Sequence, residues 1–167
     1  GEWRGGEFLV EGDVPAGAGL SSSSAFVVAA ALAFLAVNQR EVEPVELAET
    51  MARAERYVGT LSGGMDQAAS LLGRAGCTVR IDFFPLRVQP VPLPAGVAVV
   101  VCHSLVQAEK SAGARAAYNT RVVECRMACR VLNHVLAEEL PRPLERLGDL
   151  AALFPSRPLS SFVEPLA

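Results

Sequence analysis

The chain has 167 residues, 51% of them hydrophobic and 20% charged, with a formal net charge of −3. That is one domain's worth of ordinary globular material, long enough to bury a core and too apolar for a disordered tail. The acidic balance argues against nucleic acid as a partner. The longest unbroken apolar run, Ala25 to Val37, is thirteen residues where a bilayer span takes roughly 20, so no membrane segment is expected.

The first residue is Gly1 rather than Met, and an apolar stretch, Phe8-Leu9-Val10, follows within a few residues. This reads as a piece of a longer protein. No basic stretch precedes a hydrophobic segment with a small-residue cleavage site, so the expected address is the cytoplasm.

In chain order, residues 7 to 12 read as a strand stopped by Gly12-Asp13. A turn rich in proline and glycine follows, and Ser21 or Ser22 is placed to cap a helix running to about Val37. Because that helix is apolar all round, it is expected to be buried. Pro44 fits the first position of a second helix, with Leu47, Ala48, Met51 and Ala52 facing inward, ending near Gly59. Ser62-Gly63-Gly64 breaks the chain, and a short helix from Met65 to Leu72 should stop at Gly73.

Thr78 to Asp82, Val88 to Leu93 and Val97 to Cys102 read as three strands, and their short connections suggest an antiparallel meander. A long helix is expected from about Ala112 to Leu140, stopped by Pro141, then an amphipathic helix around Leu144 to Leu153. The fold class is α+β: a mostly antiparallel sheet covered by helices.

The cysteines, at 77, 102, 125 and 129, form no CxxC pattern and have no histidine at zinc spacing. Cys125 and Cys129 are i, i+4 on a helix, half of a metal site at best. Buried or half-buried thiols are the better reading.

The informative segment is Pro15-Ala16-Gly17-Ala18-Gly19-Leu20-Ser21-Ser22-Ser23-Ser24-Ala25, set after a strand and opening a helix. Glycines let a ligand approach the backbone, and the first N–H groups of the helix have no internal partner and lie at the positive end of its dipole. Phosphate is the natural occupant. The serine hydroxyls can donate to phosphate oxygens or bind a hard cation such as Mg²⁺. There is no Lys for a Walker A loop and no GxGxxG for a dinucleotide site; the plain alternative is a helix start with surplus serines.

Asp66, one residue into a helix after two glycines, should be held ionised by the helix N-terminus, which suits a base; as a bland alternative it caps the helix. Glu55, between Arg53 and Arg56, reads equally as part of an exposed ion-paired face.

The glycine-serine segment resembles the second, phosphate-binding motif of the GHMP small-molecule kinases. Ala54-Glu55-Arg56-Tyr57-Val58-Gly59-Thr60, Gly63-Gly64-Met65-Asp66-Gln67 and Tyr118-Asn119-Thr120-Arg121-Val122-Val123-Glu124-Cys125-Arg126 are each similar to blocks of galactokinases. Their wording is closest to the N-acetylgalactosamine kinase branch and its plant relatives, and the similarity runs from about Phe8 to Leu132. Tyr118 pulls the other way, since that branch is expected to carry Phe there.

The resemblance implies an ATP-dependent, Mg²⁺-requiring kinase of GHMP-kinase-like fold. It would phosphorylate the anomeric hydroxyl of galactose or N-acetylgalactosamine, as a cytoplasmic monomer. Residues 1–106 would be the central part of the ATP-binding domain and residues 107–167 the start of a helical C-terminal domain. Asp66 would be the catalytic base; Pro15, Gly17, Gly19, Leu20, Ser21, Ser22, Ser23 and Ser24 would cradle phosphate. Ser23, or a neighbouring serine, would hold Mg²⁺ with Glu55, and Gly63, Gly64, Asp66 and Tyr118 would meet the sugar.

Two motifs that the resemblance also implies lie outside this sequence: an N-terminal one with a catalytic Arg and sugar-reading residues, and a C-terminal glycine-rich one. The chain alone is therefore expected to bind nucleotide weakly and turn over little or not at all. Alternative readings are a non-catalytic sugar and ATP sensor, or an inactive truncated product.

Overall fold

Three helices meet at their small residues in the first half of the chain, and a second cluster of leucines and phenylalanines closes the other half. The structure, a computed structural model, describes residues 2–106 and 112–162. It divides into two units, Gly1–Ser111 and Ala112–Ala167.

In the first unit, α1 spans Ser22–Val37, α2 Pro44–Glu55 and α3 Met65–Leu72. Pro44 opens α2, where its missing N–H is one that no helix satisfies, and the Glu43 side chain accepts from Val45 N at 2.7 Å. After Glu55 the chain tightens into a 3-10 turn, Arg56–Val58, and leaves through Gly59 at φ 96. Gly64 precedes α3 and Gly73 ends it. The buried set is Val28, Leu47, Ala48, Ala52 and Ala68 together with Ser24 and Gln67. Alanines at three of these positions let the helix axes approach closely, so two polar side chains enter the same interior.

Strands β1, Cys77–Asp82, and β2, Arg87–Pro92, pair antiparallel, with Cys77 opposite Pro92 and Asp82 opposite Arg87. Pro90 and Pro92 donate no hydrogen bond, which suits a strand at an edge. Helices and this antiparallel pair make the chain α+β.

Several expectations are corrected. Residues 7 to 12 form no strand, and Leu9 is 97% exposed; Val97 to Cys102 likewise forms no strand and is exposed, so two strands of the expected meander form and the third does not. A strand needs a neighbour for its backbone groups, and among the described residues neither segment has one. Helix α1 forms where expected, but only Ser24 and Val28 on it are buried, while Phe26, Leu32, Phe34 and Val37 stand open. Two neighbouring helices cover one side of a helix that is apolar on all sides. Ser21 precedes α1 in a left-handed conformation, φ 57, and makes no side-chain cap. Leu47, Ala48 and Ala52 are buried as expected and Met51 is half-buried.

The start of the chain is tied to the end of α1. Trp3 stacks on Phe34 with ring centroids 5.2 Å apart, and Asn38 exchanges hydrogen bonds with the backbone of Arg4 at 2.6 and 3.0 Å.

The second unit holds α4, Ala112–Val135, and α5, Asp149–Leu153, with a 3-10 turn at Leu159–Phe162. Its core is Leu132, Leu136, Leu144, Leu150 and Phe162. Helix α4 ends five residues short of Leu140, because the chain turns back there. The amide of Asn133 takes the N–H of Leu144 at 2.7 Å and gives to its carbonyl at 2.9 Å, fixing the return. The helix expected over 144–153 is only α5. The Asp149 carboxylate accepts from Glu145 N and Arg146 N at 3.0 and 3.1 Å, holding the preceding residues in a turn. Arg157 lies over the Phe162 ring at 4.1 Å and pairs with Glu139 at 2.6 Å.

Cys129 is buried and Cys77 half-buried, as read from the sequence, but Cys102 and Cys125 are exposed. Among the described residues no group of three or more His, Cys, Asp and Glu side chains is placed to hold a metal, and no helix is long and apolar enough to cross a membrane.

Candidate active site

The glycine-serine turn reaches α1 through Gly17 and Gly19, both at positive φ, 74 and 76, followed by Ser21 at 57. At Gly19 a side chain would meet open space, so it is the backbone angle and not crowding that favours glycine there. No side chain caps α1 at Ser21, and the start of a helix is a place where anions bind. Pro15, Gly19 and Leu20 are exposed, and Gly17, Ser21, Ser22 and Ser23 half-buried.

Ser24 differs from its neighbours in being 2% exposed. Its hydroxyl donates to Glu55 Oε2 at 3.0 Å, while Ser23 Oγ donates to Glu55 Oε1 at 2.9 Å. The last residue of α2 is thus clamped by adjacent serines in the first turn of α1. This disposes of the exposed ion-paired alternative for Glu55: the carboxylate is half-buried and turned to the serines.

A third helix joins the same carboxylate. Gln67, 1% exposed, donates from Nε2 to Glu55 Oε2 and to Ser24 Oγ, the latter at 3.2 Å. Gln67 follows Asp66 in the first turn of α3, so the helix that carries the half-buried Asp66 is anchored to Glu55 by the next residue. Sequence reasoning assigned Gln67 no role, although it sits inside the Gly-Gly-Met-Asp-Gln block. The signal available was a long polar residue at an inward position of a helix whose other inward residue, Ala68, is small.

The fit of a magnesium ion can be tested on this geometry. Oxygen ligands at about 2.0–2.1 Å in an octahedron stand about 2.9 Å from their neighbours. Ser23 Oγ and Glu55 Oε1 are 2.9 Å apart, and both are hard oxygens, so the pair fits two adjacent ligand positions. Magnesium normally completes such a set with phosphate oxygens and water.

Gly63 is exposed and Gly64 buried. A hollow of about 190 Å³ opens beside them, lined also by Arg53, Arg56, Phe83 and Phe84. Asp66 and the serines are not among its walls. Tyr118 is on α4, in the second unit, 47% exposed. The first unit therefore brings together Ser23, Ser24, Glu55 and the helix of Asp66; Tyr118 belongs to the other unit.

All of these first-unit residues fall within residues 1–74, which match the family described as GHMP kinases N terminal domain. Residues 1–74 belong to the GHMP kinase family. The chain is 46% identical over 125 residues to a galactokinase of Dictyostelium discoideum, covering 74% of this chain and 25% of that one. It is 42% identical over 149 residues to a galactokinase of Chloroflexus aggregans, 89% of this chain and 37% of that one. To a galactokinase of Saccharomyces cerevisiae it is 39% identical over 134 residues, 75% and 25% of the two chains. The chain thus spans between a quarter and somewhat over a third of the length of these relatives.

Proposed function

We propose that this chain carries the phosphate- and metal-binding half of an ATP-dependent sugar kinase that phosphorylates the anomeric hydroxyl of galactose. The observation that supports the reading best is the shared carboxylate of Glu55. It joins the first turn of α1, where phosphate would lie, to the first turn of α3, where Asp66 stands. N-acetylgalactosamine, the other sugar the motifs suggest, differs at C2; the similar proteins named above are galactokinases, which favours galactose.

In this reading the turn from Pro15 through Ser24 binds phosphate oxygens through backbone N–H groups at the start of α1. Asp66 takes the proton of the sugar hydroxyl as its oxygen bonds to the γ-phosphorus; the bond from that phosphorus to the bridging oxygen breaks, and ADP leaves. Mg²⁺, held by Ser23 and Glu55, supplies neutralisation of charge on the β- and γ-phosphates. The main chain at Gly63 and Gly64 lies against the sugar, and Tyr118 is the further sugar-binding residue that the motifs suggest. Residues 1–106 are then the ATP-binding part and residues 107–167 the start of a helical domain, in a cytoplasmic protein that needs no second subunit for the reaction.

Thermal unfolding of the chain with and without MgATP tests this, since a ligand that binds only the folded state raises its transition. MgATP should raise the transition of the parent and of Asp66→Asn, and leave Ser23→Ala unmoved. A parent transition indifferent to MgATP sinks the reading.

A further inference from the structure

Among the described residues of the first unit, Gln67 is the largest polar side chain that is buried, and it is spent on one carboxylate. Its Nε2 donates to Glu55 Oε2 and to Ser24 Oγ, and Ser24 Oγ donates to the same Oε2. The orientation of the amide is fixed by charge: the N–H side must face a carboxylate, because the carbonyl oxygen would be repelled. Oε1 of Gln67 consequently points away, toward Gly64, and is buried with no hydrogen-bond partner among the described residues. Native interiors rarely leave such an atom unsatisfied. Here the amide gives up one bond to bring its donors to Glu55.

The outcome is an unequal carboxylate. Oε2 receives two donors, which fill the lone-pair positions an oxygen of this kind has. Oε1 receives Ser23, the side chain that pairs with it as a fit for two adjacent positions around a cation. A neutral amide does this without cancelling the carboxylate's charge, whereas a Lys or Arg in its place would repel a cation.

From this geometry we infer that Gln67 is the positioning residue of the metal site: it locks the Glu55 carboxylate so that Oε1 alone is presented, with Ser23, to Mg²⁺. Because Gln67 is next to Asp66 on α3, the same contact sets where the base stands relative to the metal ligands. The inference rests on the reading of Ser23 and Glu55 as those ligands.

Titrating Mg²⁺ against a fixed concentration of a fluorescent ATP analogue, with the 167-residue chain in excess, tests it without turnover. Gln67→Met keeps the buried volume and loses the donors; Gln67→Asn keeps an amide and loses the reach. Both should raise the Mg²⁺ concentration at half-saturation at least tenfold while leaving metal-free nucleotide affinity within twofold of the parent. Ser23→Ala should abolish the Mg²⁺ dependence. If either Gln67 variant that remains folded by circular dichroism keeps the parent's midpoint while Ser23→Ala loses it, the positioning role is overturned and the metal reading stands. If Ser23→Ala keeps the parent's Mg²⁺ dependence, the metal reading is overturned and this inference goes with it.

Discussion

Gly64 and Ala52 are in such close contact that a Cβ on Gly64 would lie 2.7 Å from the Ala52 Cβ, and Gly64 is also at φ 90. Two separate physical demands therefore fall on one residue at the head of α3. The approach of α3 to α2 that Gly64 permits is what brings Gln67 within reach of Glu55.

Gly64→Ala should destabilise the first unit by about 1–3 kcal/mol from overpacking, with roughly 1–2 kcal/mol more from the left-handed backbone. Ala52→Gly in the same chain removes the clash and not the backbone strain, so it should restore only the first part. Urea unfolding of the two single variants and the double variant measures the split; strict additivity would contradict the contact.

Ser24→Ala and Ser23→Ala should separate stability from binding. Ser24 is buried in the Glu55–Gln67 cluster, and losing its hydroxyl leaves buried polar groups short of a partner, a cost of about 1–3 kcal/mol. Ser23 is less buried, so its removal should cost less in stability and more in the response to MgATP. Thermal unfolding of both variants, with and without MgATP, compares them, and equal losses of stability and of MgATP response in the two variants would contradict the division.

Asp149 should make the second unit acid-sensitive. Burial pushes its carboxyl up, but the N–H groups of Arg146 and Glu145 and the guanidinium groups of Arg146 and Arg142 outweigh that and hold it below the usual value. A carboxyl whose folded value is depressed contributes stability that is present above its unfolded value, about 3.9. That contribution is lost as pH falls through the lower folded value. Asp149→Asn should cost about 1.5–3 kcal/mol at neutral pH, the usual worth of hydrogen bonds to a charged group, and should flatten the loss of stability below pH of about 4. Helical signal against denaturant at a series of pH values gives both slopes; parallel slopes would count against this account.

The thiols should react in two classes. Cys102 and Cys125 are exposed, whereas Cys129 is buried, and burial first, then Asp149 and Cys125, push its thiol up. Since the thiolate is the reactive form, a thiol reagent near pH 8 should modify Cys102 and Cys125 quickly and Cys129 only as the second unit unfolds. Mass spectrometry of the labelled peptides with time distinguishes the sites, and early labelling of Cys129 would contradict its burial.

The chemistry-bearing pattern was legible because it is local. Pro44, Gly59 and Gly73 punctuate helices through their own backbone preferences, so α1, α2 and α3 fall where the residues place them, and the glycine-serine turn and the Gly-Gly-Met-Asp-Gln block stand at helix starts whatever surrounds them. Phe8 to Val10 and Val97 to Cys102 carry the apolar character of strands just as plainly. A strand nevertheless exists only when another segment supplies its hydrogen bonds, and α1 is buried only as far as its neighbours reach. Ser24 and Gln67 show the same dependence in the site: they are 43 residues apart in sequence and acquire a role only where the small residues of α2 and α3 let the helices close. Residue type and spacing determined which groups could bind phosphate and metal. Tertiary packing alone decided that Oε2 of Glu55 takes two donors and Oε1 one, because a carboxylate's orientation is set by donors that come from other helices.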